Sequence, residues 1–316
     1  MLCRLMTRNV NWACALALAT LACLPVTGQS AAPYRTADEV LAATTAADWR
    51  PLDLAHTLVM DLPSGRVVIE LAPEFAPRTI ANIETLVRAR YFDGLAILRA
   101  QDNYVVQWGD PDENRPLGAA AAKIPAEFSV PTPPGLDFTL LPDGDGWAPR
   151  AGFSHGFAAA RDDKARRTWL THCYGAVGVG RDNDPDSGSG AEMYVAIAPI
   201  RLLDRNVTLV GHVVQGMPLL STLPRGPGKM GFYEDPAQRL PIRAVRMATE
   251  LPEADAVRLE VLRTGSKAFA DYVEARRNRH DPWTQVPAGH ADLCSITVPV
   301  RPVVDDRQLP GGSAAK

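Results

Sequence analysis

Two apolar runs, Thr57-Leu-Val-Met-Asp-Leu62 and Arg66-Val-Val-Ile-Glu-Leu71, stand on either side of a tight Pro63-Ser-Gly65 turn. Aliphatic and β-branched residues around a glycine-containing turn pair as an antiparallel hairpin, which commits this part of the chain to β structure. Pro77 then sits where a first-turn proline belongs, and Ile80, Ile83, Leu86 and Val87 recur at helical spacing, so an amphipathic helix is expected over residues 77–90. Strand patterns follow at 95–99 and 104–108, and again at 175–180, 193–197 and 207–214. A short helix is expected over 217–223 and a closing strand over 240–247.

Between these blocks the pattern dissolves. Residues 111–150 are rich in Pro, Gly and Asp, notably Pro131-Thr-Pro-Pro-Gly135 and Pro142-Asp-Gly-Asp-Gly146, and read as a long surface excursion. Much of the proline surplus lies here: the chain has 27 prolines in 316 residues, against a usual share of roughly 5%. Residues 29–55 read as a lead-in with short helical signals around 36–45, then Trp49. Beyond Pro252 a helix is expected over about 254–278, carrying Val261, Ala268, Phe269, Tyr272 and Val273, and one more strand over 293–300.

Arg4 and Arg8 precede the apolar run Trp12-Ala-Cys-Ala-Leu-Ala-Leu-Ala-Thr-Leu-Ala-Cys-Leu24, and small residues suited to cleavage follow near Val26-Thr-Gly28 and Gln29-Ser-Ala31. The run is shorter than the ~20 residues of a membrane span, so residues 1–28 read as a secretory signal peptide. The mature chain is expected to be exported, to the periplasm, with no integral membrane span once the signal is removed. Leu21-Ala22-Cys23 offers an alternative, lipid-anchored form through Cys23, although Thr20 stands where an aliphatic residue is wanted. Cys3, Cys14 and Cys23 lie in or beside the apolar run; Cys173 and Cys294 enter an oxidising space, where a disulfide between them can form. With 33 basic and 36 acidic residues the net charge is −3, which gives no global field to draw nucleic acid or an anionic membrane.

Three motifs invite chemistry that their context does not support. Gly152-Phe-Ser-His-Gly156 fits the Gly-x-Ser-x-Gly pattern of a nucleophile elbow, but the approach Asp-Gly-Asp-Gly-Trp-Ala-Pro-Arg is not the apolar strand that Ser154 would need. Asp182-Asn-Asp-Pro-Asp186 resembles the start of a calcium loop, yet Ser187 and Met193 stand where Gly and Glu are required. The six histidines are scattered without zinc-ligand spacing. Neither a metal nor another cofactor is expected.

The block Tyr91-Phe-Asp-Gly-Leu-Ala-Ile-Leu-Arg-Ala-Gln-Asp-Asn-Tyr-Val-Val-Gln-Trp-Gly-Asp-Pro111 resembles the central motif of cyclophilin-type peptidyl-prolyl isomerases, which reads Tyr-Asp-Gly, Phe-His-Arg and Phe-Met-Ile-Gln-Gly-Gly-Asp-Pro at this spacing. Further pieces fall in the family's order: the opening hairpin, the helix with Asn82, Ile124-Pro-Ala-Glu-Phe128, Ser189-Gly-Ala-Glu-Met-Tyr-Val195, Leu202-Leu-Asp-Arg-Asn-Val-Thr-Leu-Val-Gly211 and Gly211-His-Val-Val-Gln-Gly-Met217. The resemblance implies a mainly β fold, a closed eight-stranded antiparallel β-barrel capped by two helices. It places this domain at 56–248, with a long loop insertion at about 129–168 and a helical C-terminal extension over 249–316.

The resemblance also implies a site. Arg99 falls on the family's catalytic arginine and Gln107 on the glutamine that holds the peptide backbone. Tyr104 and Tyr194 replace phenylalanines of the proline pocket, Val105 its methionine, and Leu203 takes the place of its leucine. Gly180 and Arg181 occupy the Ala-Asn places whose backbone meets the peptide. The departures are Leu98 and Val207 for two histidines, Glu192 for a glutamine, and Leu202 for the tryptophan associated with cyclosporin. The implied partners are proline-containing peptides and unfolded exported proteins, and the implied activity is prolyl cis-trans isomerisation. A peptide-binding or chaperone module using the same groove with little turnover is the alternative that the lost histidines keep open.

Overall fold

The computed structural model describes residues 34–303. The expected signal segment and Cys23 lie outside the described residues. The main sheet has nine strands: β1 (Thr57–Leu62), β2 (Gly65–Leu71), β3 (Ala96–Ala100), β4 (Val105–Gly109), β5 (Ala176–Val179), β6 (Met193–Ala196), β7 (Leu209–Gln215), β8 (Leu240–Pro241) and β9 (Ala244–Met247). Their hydrogen-bonded order is β8-β3-β4-β6-β5-β7-β2-β1-β9, and every neighbouring pair is antiparallel. In place of the closed eight-stranded barrel expected from the sequence, the structure has a curled nine-stranded sheet. The count differs because the closing segment changes partner midway. Ile242 N–H donates to the Leu95 carbonyl and Arg243 N–H to that of Asp61, so β8 pairs with β3 at one edge and β9 with β1 at the other.

The inner face of this sheet carries Leu58, Met60, Val67, Ile69, Val106, Trp108, Val177 and Val195, all buried in one core. Helix α2 (Pro77–Arg88), which follows the short α1 (Ala37–Ala42), covers it with Ile80, Ile83, Leu86 and Val87. Each such side chain contributes roughly 1.5–3 kcal/mol by leaving water. Ala76, at the start of α2, has no side chain to cap the helix. Glu127 supplies the cap from across the chain, accepting from the Arg78 and Thr79 N–H groups at 3.1 and 2.9 Å and from the Thr79 hydroxyl at 2.8 Å. The Ile124-to-Phe128 block therefore fixes the orientation of α2.

The insertion is not a loop. Its residues form a five-stranded sheet in the order Val130–Pro131, Arg167–Leu170, Phe157–Asp162, Arg150–Ser154, Thr139–Leu140. Gly152-Phe-Ser-His-Gly156 is a hairpin within it: Ser154 pairs with Phe157, and both turn residues have positive φ, 51° at His155 and 96° at Gly156, as a two-residue turn of this type requires. The Phe157–Asp162 strand escapes sequence reading because Ala158-Ala-Ala160 offers none of the β-branched residues that mark a strand.

The C-terminal extension departs from expectation as well. After the short α3 (Met217–Ser221), the last helix, α4, covers only Lys267–Arg277, because Ser266 caps it by accepting from Phe269 N–H at 3.0 Å. Upstream, Leu259–Leu262 is a strand between Trp49–Pro51 and Val300–Pro302. The strand expected over 293–300 begins instead with a helical turn, Leu293–Ser295. Lead-in, insertion and extension share a second core, with Val40 and Trp49, Leu141 and Phe153, and Leu262, Phe269 and Leu293. Cys173 and Cys294 are joined by a disulfide at this core, their Cα atoms 4.9 Å apart. Among the described residues no helix is long and apolar enough to cross a membrane.

Candidate functional site

On β3, Ile97 and Ala100 both belong to the core of the main sheet although they are three residues apart. Strict alternation would put Arg99 on the same face as Ile97, inside the core of the curled sheet. The pairing of β3 with β4 slips between Ile97 and Arg99, so Leu98 is a bulged residue and Arg99 comes to lie opposite Gln107. The bulge thus turns Arg99 out of the core and onto the outer wall of the sheet.

There Arg99 is only 9% exposed, and its guanidinium is held from three sides. Its Nε donates to the Met230 carbonyl at 2.7 Å, Nη1 donates to Gln107 Oε1 at 2.9 Å, and Nη2 donates to Gln101 Oε1. The Tyr104 and Phe232 rings flank it, with their centroids 5.4 and 5.3 Å from Cζ. Burial lowers its pKa, opposed by Tyr104 and Glu192, but a guanidinium stays charged in proteins. The result is a fixed cation in a poorly hydrated wall.

Gln107 passes the order on. With its oxygen accepting from Arg99, its Nε2 donates to Glu192 Oε1. Burial raises the Glu192 carboxyl pKa, and the Gln107 hydrogen bond opposes the shift. Gly180 makes room for this carboxylate: a Cβ at that position would stand 2.2 Å from Glu192 Oε1. Gly180 also ties down the Glu192 backbone, donating its N–H to the carbonyl at 2.9 Å.

Arg99, Tyr104, Val105, Gln107, Gly180, Arg181, Glu192, Tyr194, Leu203 and Val207 converge on one open groove of about 620 Å³, a size suited to a short peptide segment. Its apolar end is built by Val105, Tyr194, Leu203 and Val207, which continue into a buried cluster with Leu209 and Ile200. The Tyr194 hydroxyl lies 2.8 Å from His172 Nε2. Arg181 is turned aside, donating to the Asn206 and Asp182 carbonyls at 2.8 and 2.6 Å with its guanidinium over the Phe128 ring. Leu202 does not join the others: it is 62% exposed and lines no part of the groove. Sequence reading overlooks Asp182, Asn183 and Asp184 on the rim, and Gln101, Met230 and Phe232 around Arg99. The Met230 contact is a backbone carbonyl 131 residues away, for which no side-chain pattern could serve as a signal. Among the described residues no three His, Cys, Asp or Glu side chains are grouped to hold a metal ion.

The model of the cyclophilin type peptidyl-prolyl cis-trans isomerase/CLD family matches residues 57–247. The chain is 26% identical over 198 residues to peptidyl-prolyl cis-trans isomerase-like 1 of Gibberella zeae, covering 62% of this chain and 98% of that protein. It is 27% identical over 175 residues to a probable peptidyl-prolyl cis-trans isomerase of Brucella suis, covering 55% and 74%. The crystal structure of the cyclophilin AquaCyp293 from Hirschia baltica superposes with a TM-score of 0.66 at 25% identity, covering 86% of this chain and 100% of the other. That share exceeds what residues 57–247 could supply, so the likeness takes in segments outside the main sheet. The bulge-turned arginine, the pocket beside it and these likenesses converge: the chain belongs to the cyclophilin-type peptidyl-prolyl cis-trans isomerase family.

Proposed function

We propose that this groove catalyses cis-trans isomerisation of X–Pro bonds and that its substrates are exported proteins folding in the periplasm. The observation that carries the reading is Arg99, a buried guanidinium oriented by hydrogen bonds beside the apolar end of the groove. An X–Pro amide resists rotation by roughly 20 kcal/mol because its C–N bond has partial double-bond character. No bond forms or breaks during rotation, so neither nucleophile nor metal is called for. The twisted amide has a pyramidal, basic nitrogen, and a preoriented N–H donor stabilises that state more than the planar one. Arg99 is the donor in this reading. Val105, Tyr194, Leu203 and Val207 seat the proline ring, Tyr104 closes the wall beside Arg99, and Gln107 with the Gly180 and Arg181 backbone holds the flanking peptide. Glu192 fixes Gln107.

Export rests on the signal-like residues 1–28, and the Cys173–Cys294 disulfide suits an oxidising compartment. The test is cis-trans exchange of an alanyl-prolyl tetrapeptide with the wild type and Arg99→Ala. Catalysis by the wild type that the variant loses supports the assignment. Peptide binding by a wild type that leaves the exchange rate at its background value would make the protein a peptide-holding module instead.

A further inference from the structure

Behind the proline pocket, five buried side chains form one hydrogen-bonded chain. Tyr194 Oη lies 2.8 Å from His172 Nε2, and His172 Nδ1 lies 3.0 Å from Asp204 Oδ1, which also accepts from the His172 backbone N–H at 2.9 Å. Asp204 Oδ2 accepts from Arg201 Nε at 2.5 Å. Arg201 in turn donates through both Nη atoms to the Asp145 carboxylate, at 2.9 and 3.0 Å. None of the five is more than 7% exposed.

The order of charges fixes the order of protons. Asp204, paired with Arg201, is a carboxylate and can only accept. With His172 a neutral imidazole, the proton that faces Asp204 sits on Nδ1, which leaves Nε2 as an acceptor and makes the Tyr194 hydroxyl the donor. Burial pushes the Tyr194 phenol far above the ordinary tyrosine range, so the donor keeps its proton. The strand beside it is shaped to the same end. Gly178 is the register partner of Tyr194, and a Cβ there would come 2.4 Å from the phenolic oxygen. Asp145 belongs to the Pro142-Asp-Gly-Asp-Gly146 stretch of the insertion and does not line the groove.

We propose that Asp145, Arg201, Asp204 and His172 form a positioning relay through which the insertion sets the place of Tyr194 in the proline pocket. The four act through Tyr194 and not on the peptide. The proposal rests on reading the groove as a prolyl-peptide site. It assigns the insertion a part in substrate recognition: with the relay intact the ring stands at one depth, and without it a buried hydroxyl loses its partner and turns toward the substrate.

The test is a double-mutant cycle in the full-length protein, read by tetrapeptide affinity and by kcat/KM. Asp145→Asn is expected to weaken peptide affinity and lower kcat/KM by about fivefold, the effect of losing one buried hydrogen bond. It should do so chiefly through KM and should have no further effect in a Tyr194→Phe background. Effects that multiply independently would overturn the relay. Should Asp145→Asn fail to fold, His172→Gln, which keeps an acceptor for Tyr194, is compared with His172→Leu, which does not. Better affinity in the Gln variant is expected, and equal losses would sink the proposal. The ¹⁵N resonances of the His172 imidazole give a readout that needs no turnover. A proton on Nδ1, with an Nε2 resonance that moves in Tyr194→Phe, supports the relay; a proton on Nε2 refutes it. A wild type without isomerase activity but with this tautomer would refute the proposed activity and leave the relay standing.

Discussion

Arg99 and Gln107 stand directly opposite each other on β3 and β4, with Nη1 donating to Oε1 at 2.9 Å. The pairing exists because one extra residue, Leu98, interrupts the alternation of β3. Its consequence runs two ways. Arg99 gains an anchor within the sheet, and the Gln107 amide is turned so that its NH2 group meets Glu192. In the proposed reaction an isolated arginine on a flexible stem would have to be ordered at the moment of catalysis, whereas this one is ordered beforehand.

Arg99→Ala should lower kcat/KM by about 10²-fold, the usual cost of removing one preorganised donor. Arg99→Lys should recover little of it, because an ammonium cannot reach Met230, Gln107 and Gln101 together as the planar fork does. Exchange spectroscopy on a proline peptide gives the rates, and a Lys variant at wild-type speed would contradict the role given to the fork.

Glu192 offers a pH signature. Its folded pKa lies above the ordinary value of 4.5 because of burial. The folded state therefore holds this proton more tightly than the unfolded state. The resulting stabilisation is complete below about pH 4.5 and is lost as pH rises through the raised value. Glu192→Gln, which can still accept from Gln107, should melt above the wild type at pH 8, and the gap should close as pH falls toward 4. Parallel melting curves across that range would show that the carboxyl is not perturbed.

Asp143 behaves in the opposite sense. Arg277 donates to it through Nε and Nη2 at 2.6 and 2.7 Å and holds its carboxyl down to about 2, from an ordinary 3.8. The stability this pair contributes is present above about pH 3.8 and disappears as pH falls through about 2. Asp143→Asn should flatten the acid limb of the stability curve in that window. At neutral pH Arg277→Ala should cost about 1.5–3 kcal/mol, the range for losing hydrogen bonds to a charged group in a partly buried pair. Denaturant titrations at several pH values measure both.

The Cys173–Cys294 bridge closes a loop of sequence separation 121. Replacing both cysteines with serine should destabilise the protein by about 2–5 kcal/mol. Alkylation of both Cys173 and Cys294 before any reductant is added would show that the bridge does not form.

Mass spectrometry of protein recovered from a periplasmic fraction should find a mature N-terminus close to Gly28 or Ala31. A chain that begins at an acylated Cys23 would move the protein to a membrane surface, and a chain that keeps Met1 would contradict removal of a signal peptide.

The parts of this architecture that are legible in the sequence are those fixed by local pattern. The β1–β2 hairpin, α2 with Pro77 at its first turn, and the spacing from Tyr91 to Pro111 all express short-range rules. What stays hidden depends on distant partners. The Leu259–Leu262 strand lies in a stretch that scans as helix and becomes a strand because Trp49–Pro51 and Val300–Pro302 pair with it. In the insertion, the strand Phe157–Asp162 carries three alanines and no β-branched residue, and Ala151, Phe153 and Ala158 pack into a core shared with two other segments. His172, one of six scattered histidines in the sequence, acquires a role only when Tyr194 and Asp204 come to lie on either side of its ring.

The partner change at Ile242 and Arg243 also bears on how the chain folds as it is made. β1 is completed early in synthesis, yet the strand that covers its open edge is β9, and the strand that covers β3 is β8. Until residues 240–247 have emerged, the β1 edge and the Ala96–Ile97 end of β3 expose unpaired backbone N–H and C=O groups, the condition under which strands recruit other chains. Contacts of such long sequence separation also slow folding. The nascent protein thus passes through an aggregation-prone interval that ends with eight residues near its C-terminal third, and truncation just before Leu240 should yield insoluble chain whatever the state of the groove.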